Sequence, residues 1–121
     1  MSTGTETQVR IESLLGYIRE GRIMDAMKEF YADDVVMEEP AYGKTVGLAA
    51  NLEREQQFVD SVAEFTSFET PKVMVGENSS AYENSMSWKS TDGQDIQIEQ
   101  VAVQEWRDGK IVSERFYYAT S

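Results

Sequence analysis

Residues 81–119, AYENSMSWKSTDGQDIQIEQVAVQEWRDGKIVSERFYYA, carry the pattern that decides the fold. Three β-prone runs, about Ala81 to Ser90, Asp95 to Trp106 and Lys110 to Ala119, are separated by Asp92-Gly93 and Asp108-Gly109. Asp-Gly between two such runs favours a tight hairpin, because both residues tolerate the positive φ that the turn requires. Two in succession predict a meander of three strands. A further β-prone run, about Ser67 to Val75, precedes them and ends in the turn residues Gly76 to Ser79.

Further toward the N-terminus the period changes from two to three and four. Ile11, Leu14, Leu15 and Ile18 mark one helix that ends near Gly21, and Ile23, Met24, Met27, Phe30 and Tyr31 mark a second. Val35 to Glu39 is a short strand stopped by Pro40, and Ala41 to Thr45 reads as a loop. A third helix is expected from about Gly47 to Phe65, with Leu48, Leu52, Val59, Val62 and Phe65 inward and Glu53, Arg54, Gln57 and Asp60 outward. Residues 1–8 read as a flexible N-terminal tail before a single domain at 9–121, and Thr3 followed by Glu6 fits a capping box. Helices followed by a run of strands define an α+β class: three N-terminal helices packed on a curved antiparallel sheet that encloses a pocket. In the third long strand Ile96 and Ile98 share one face and Val101 and Val103 the other. A bulge near Glu99 or Gln100 is expected to reconcile them and to curve the sheet.

Composition narrows the chemistry. The chain has 121 residues, no Cys and no His, and a formal net charge of −11. Thiolate and imidazole catalysis, disulfides and Cys- or His-ligated metals are thereby removed, so acid–base work falls to carboxylates, Tyr or Lys. The charge argues against nucleic acid and against an anionic membrane surface as partners. Met1 to Gln8 lacks the apolar core of a signal peptide, and a soluble cytoplasmic protein is expected.

Strand alternation then selects candidate site residues. Val35 and Met37 carry Glu39 to the inner face at the end of its strand. Glu114 shares a face with Phe116 and Tyr118, and also with Val112. Asn84 shares one with Tyr82, Met86 and Trp88. Glu39 and Glu114 are the candidate catalytic pair, since two carboxylates in an apolar pocket raise at least one pKa toward neutrality. Asn84, Trp88, Phe116 and Tyr118 are the candidate substrate-binding residues on the strands, and Tyr17, an aromatic residue on the first helix within a turn of Leu14, is a fifth. No metal site and no cofactor is expected.

The run Phe30-Tyr31-Ala32-Asp33-Asp34-Val35-Val36-Met37-Glu38-Glu39-Pro40 resembles a segment of the SnoaL-like proteins of the nuclear transport factor 2-like (NTF2-like) superfamily. Val46-Gly47 before a long helix, and Trp106-Arg107-Asp108-Gly109-Lys110-Ile111-Val112 before a Tyr-rich last strand, resemble the same family, which is matched from about Val9 to Ala119. The resemblance implies a cone-shaped fold with an internal pocket, and a homodimer through the outer face of the sheet, where Val101 and Val103 lie. It also implies that Glu39, the acid before the Pro, stands where ketosteroid isomerases carry their general base. Their oxyanion donors, a Tyr and a protonated Asp, fall at Leu14 or Leu15 and near Ala102. Two main readings remain open. The first is a cofactor-independent isomerase or cyclase acting on an apolar, cyclic small molecule. The second is a non-catalytic ligand-binding or dimerisation module. A lesser third is pure protein interaction through the sheet.

Overall fold

A computed structural model describes residues 4–119. Three helices, α1 (Gly4–Arg19), α2 (Ile23–Phe30) and α3 (Leu48–Asp60), pack on one curled, unclosed sheet of six strands. The strands are β1 (Tyr31–Glu39), β2 (Gly43–Val46), β3 (Val62–Val75), β4 (Ser79–Ser90), β5 (Asp95–Arg107) and β6 (Lys110–Tyr117). Their order across the sheet is β2-β1-β6-β5-β4-β3. The β3–β4–β5–β6 meander is antiparallel, as its Asp-Gly turns dictate. β1 then inserts beside β6 in parallel, so the sheet is mixed. The second turn has Asp108 at φ 53° and Gly109 at φ 78°, the pair of positive values that a two-residue hairpin needs to match the strand twist.

Residues 4–8, within the segment read as a tail, are helical, and Thr7 is buried with its hydroxyl donating to Glu77 O at 2.6 Å. Thr3 of the expected capping box lies outside the described residues. Arg10 docks α1 onto the last hairpin: its Nε donates to Gly109 O at 3.0 Å and its guanidinium lies 4.3 Å from the centre of the Phe30 ring.

Three sequence expectations are corrected. Pairing of β4 with β5 runs unbroken from Ser79↔Glu105 to Lys89↔Asp95, so no bulge exists at Glu99 or Gln100. Strict alternation instead places Ala102, Gln104 and Trp106 inward and leaves Val101 and Val103 half-buried on the outer face. The register shifts lie between β3 and β4, between Tyr31 and Val36 of β1 against β6, and at Glu105/Trp106 against β6. The last of these inserts Val112 and returns Ile111 to the core, so Ile111, not Val112, is fully buried beside Glu114. Next, the third helix stops at Asp60, and Val62 and Phe65 belong to β3, where they pair with Ser90 and Trp88. β-branched and aromatic residues suit that edge better than another helical turn. Last, the expected loop at 41–45 contains β2, paired to β1 from Val36↔Val46 to Glu39↔Gly43. Buried Asn51 secures it, donating to Thr45 O at 3.0 Å and Gly47 O at 2.8 Å.

Candidate functional site

The concave side of the sheet and the three helices enclose a cavity of ≈ 570 Å³. Its walls are mostly apolar: Leu14 and Met27 from the helices, and Met37, Met86, Trp88 and Phe116 from the strands. Trp88 is held by an edge-to-face contact with Phe58 of α3, with ring centres 5.1 Å apart. Four carboxylates interrupt this lining: Glu38, Glu39, Glu55 and Glu114.

Glu114 is buried in the cavity wall, with 1% of its surface exposed. Alternation along β6 puts it there, and the inserted Val112 keeps both Ile111 and Glu114 inward. Its Oε1 accepts a hydrogen bond from the Tyr31 hydroxyl and its Oε2 one from Gln104 Nε2 at 2.8 Å. A carboxylate has about four acceptor positions, so two remain for a ligand. Burial drives its pKa up to about 7, against the opposing pull of the two hydrogen bonds. The Tyr31 hydroxyl is raised well above its ordinary value by burial first and by the charge of Glu114 second. Tyr82 on β4 is raised in the same way.

Glu55 also lines the cavity and was not among the candidates read from the sequence. It is half-buried overall, with its carboxyl enclosed by the cavity and no hydrogen-bond partner among the described residues. Burial raises it to about 7, helped by the charges of Glu114 and Glu39 and opposed by Arg54. Its position was legible: Leu48, Asn51, Leu52, Glu55, Phe58 and Val59 recur at helical spacing and form the inner stripe of α3. Arg54 and Gln57, expected on the outer face, also line the cavity.

Glu39 sits at the mouth, half-buried at the end of β1. Tyr118 donates to its Oε1 at 2.9 Å, and Arg54 Nη2 approaches its Oε2 at 3.5 Å. Arg54 is itself fixed by Thr45 Oγ1 at 2.5 Å and by the Tyr42 ring, 4.5 Å from its guanidinium. Of the four carboxylates, Glu38 and Glu39 are therefore ion-paired, to Arg115 at 4.0 Å and to Arg54, and Glu55 and Glu114 are the two raised toward neutrality.

The structure brings Glu39, Glu114, Trp88, Phe116 and Tyr118 together around this space. Two expected ligand contacts fall outside it. Tyr17 packs its ring edge on Phe30, 5.3 Å between centres, with the Arg22 guanidinium over its face. Asn84 is buried behind Gln100, whose Nε2 donates to Asn84 Oδ1 at 3.2 Å, and only Gln100 reaches the cavity. For Asn84 the mismatch comes from depth, since Gln100 stands at the cavity in its place, whereas Tyr17 spends its ring on Phe30 and Arg22. Among the described residues no group of three or more acidic side chains is arranged to hold a metal ion. No helix among them is long and apolar enough to cross a membrane.

A curled sheet closed by three N-terminal helices around a pocket is the NTF2-like architecture. An NTF2-like protein of unknown function from Burkholderia pseudomallei superposes with a TM-score of 0.80 at 12% identity, over 94% of this chain and 91% of that one. The SnoaL-like domain model matches residues 5–118, and the chain belongs to that family. A candidate SnoaL-like polyketide cyclase (carbohydrate phosphatase) from Mesorhizobium loti is 21% identical with a TM-score of 0.77, over 92% of this chain and 97% of that one. TerC, co-crystallised with polyporic acid, is 14% identical with a TM-score of 0.78, over 95% of this chain and 90% of that one. No curated protein matches the sequence.

Proposed function

We propose that the cavity binds an apolar, cyclic carbonyl compound and that its carboxylates move a proton on it, as in a cofactor-independent isomerisation or aldol-type cyclisation. The observation that carries this reading is Glu114: a carboxyl 1% exposed, raised to about 7 by burial, in the wall of an otherwise apolar cavity. A group near neutrality both accepts and returns a proton at working pH, which is what general acid–base catalysis requires. Glu39, ion-paired at the mouth, takes a proton from the carbon next to the carbonyl. Glu114 and Tyr31 receive the developing negative charge on the carbonyl oxygen. The resemblance of the fold to a candidate polyketide cyclase and to a polyporic acid complex supports a ligand of this class.

A module that binds without turnover is the second reading. It is favoured by the buried apolar side chains at Leu14 or Leu15 and near Ala102, where the resemblance to ketosteroid isomerases places their oxyanion donors. The outer face of the sheet, with Val101, Val103 and exposed Tyr117, serves in either case as the homodimer interface.

A thermal-shift screen of cyclic ketones, aromatic polyketides and steroids tests the pocket. A compound at about 100 times its Kd stabilises the folded state by about 2.7 kcal/mol. Wild type is expected to respond to one class, with an altered response in Glu39→Gln and Glu114→Gln. A screen in which nothing shifts any of the three proteins refutes the small-molecule reading.

A further inference from the structure

The cavity wall stops at Glu114, but Glu114 ends a hydrogen-bond chain that continues behind the wall. Trp106 Nε1 lies 2.9 Å from Ser80 Oγ, Ser80 Oγ lies 2.6 Å from Gln104 Oε1, and Gln104 Nε2 lies 2.8 Å from Glu114 Oε2. Sheet pairing builds it: Ser80 is the register partner of Gln104, and Gln104 is that of Glu114. All four side chains are buried, Gln104 completely. Trp106, Ser80 and Gln104 do not line the cavity, whereas Glu114 and Tyr31 do.

Chemistry fixes the direction of this chain. An indole N–H only donates, so Ser80 Oγ accepts from Trp106. The one proton of the Ser80 hydroxyl then goes to Gln104 Oε1. An amide that accepts at its oxygen presents its NH₂ at the other end, and an NH₂ only donates. Were the amide turned over, Nε2 would face Ser80, and the Ser80 proton would be buried without an acceptor, an arrangement folded proteins avoid.

We propose that Trp106, Ser80 and Gln104 are positioning residues that hold Glu114 Oε2 as a fixed acceptor and confine the exchangeable proton of the site to Oε1, the oxygen shared with Tyr31. The proposal rests on the reading of Glu114 as an acid–base group. The proton that Glu114 and Tyr31 lend to the ligand's carbonyl oxygen is held at Oε1 and returns to Oε1, while Glu39 serves the carbon. With Oε1 unprotonated, the Tyr31 hydroxyl donates to it. With Oε1 protonated, Tyr31 O accepts from it, and the Tyr31 proton is free to donate to a ligand oxygen. Tyr31 thus offers a donor to the cavity only when Glu114 carries its proton. The other titratable groups facing this pair are Tyr82 from β4 and Glu55 from α3, with Glu39 and Arg54 at the mouth.

The test needs no ligand. The ¹³C-labelled Glu114 carboxyl, assigned by its loss in Glu114→Gln, is titrated by NMR in wild type, Ser80→Ala, Trp106→Phe and Ser80→Thr. Freeing the Gln104 amide weakens its bond to the ionised carboxylate. Ser80→Ala and Trp106→Phe are expected to raise the midpoint by about one pH unit, tenfold toward the protonated form. Ser80→Thr keeps the hydroxyl and is expected to keep the wild-type midpoint. An unmoved midpoint in folded Ser80→Ala and Trp106→Phe overturns the proposal. A wild-type measurement guards against variants that fail to fold: slow exchange of the Gln104 Nε2 protons and a coupling from Nε2 to the Glu114 carboxyl are expected. Freely exchanging Nε2 protons overturn the proposal on their own. Failure to find any ligand would refute the proposed function and leave this chain intact, whereas an unmoved midpoint would do the reverse.

Discussion

Replacing Glu114 by Gln should change how the stability of this protein depends on pH more than it changes stability at any one pH. The carboxyl rises from 4.5 to about 7 on folding. Its folded pKa lies above its unfolded one, so the folded state holds the proton more tightly. That contribution is complete below about pH 4.5, declines as pH rises, and is lost above about pH 7. At about 1.4 kcal/mol per tenfold, the rise is worth about 3 kcal/mol across the window. Glu114→Gln is close to isosteric and does not titrate. Its carbonyl oxygen still accepts from Tyr31, but its NH₂ opposes Gln104 Nε2, a mismatch that costs about 1–3 kcal/mol near pH 5. Near pH 8 the same substitution removes a buried charge and recovers most or all of that cost. Glu55, relieved of its neighbour's charge, should also titrate lower in the variant. Urea unfolding of both proteins from pH 5 to 8 measures the difference, to which Glu114 contributes directly and Glu55 adds in the same direction. The stability of Glu114→Gln relative to wild type is expected to rise by about 3 kcal/mol over that range. A difference that stays flat would show that Glu114 titrates as an ordinary surface carboxylate, and the case for it as an acid–base group would fall.

Thr7→Val should cost about 1 kcal/mol, because it leaves the Glu77 carbonyl without the hydroxyl that reaches it at 2.6 Å. The melting temperature should drop by a few degrees, and an unchanged value would place the start of α1 outside the cooperative fold. Val101→Asp should convert a dimer into a monomer in sedimentation equilibrium while leaving the far-ultraviolet spectrum intact. A wild type that sediments as a monomer at high concentration would refute the proposed use of the outer face.

Much of this was written plainly in the chain, and the omissions have physical causes. The two Asp-Gly turns and the period-two runs around them gave the meander and the inward faces of Glu114 and Trp88, and Val35 and Met37 gave that of Glu39. The switch to helical spacing before Thr66 gave the α+β order. β2 was missed because four exposed or half-exposed residues, Gly43 to Val46, carry no alternation. Their strand character comes from β1 beside them. The end of α3 was misplaced because Val62 and Phe65 fit both periods, and pairing with β4 decided between them. The bulge was misplaced because Val101 and Val103 share an apolar character with Ile96 and Ile98 that needs no common face. Val101 and Val103 face outward, and the phase change is made at Val112. Glu55 was hidden by its charge, although its spacing from Leu48, Leu52 and Val59 marked the inner stripe. Asn84 shows the limit of face assignment: it gives the direction of a side chain but not what stands in front of it.

The central claim is that the carboxylates of this cavity move a proton on a bound cyclic carbonyl compound. The most direct measurement is exchange of deuterium from D₂O into the carbon next to the carbonyl, followed by proton NMR for ligands from the thermal-shift screen. Wild type is expected to accelerate exchange above buffer, and Glu39→Gln to lose about 10²–10⁴ of that acceleration while still binding the ligand. Tight binding with exchange no faster than in buffer would contradict the account and leave a binding module in its place.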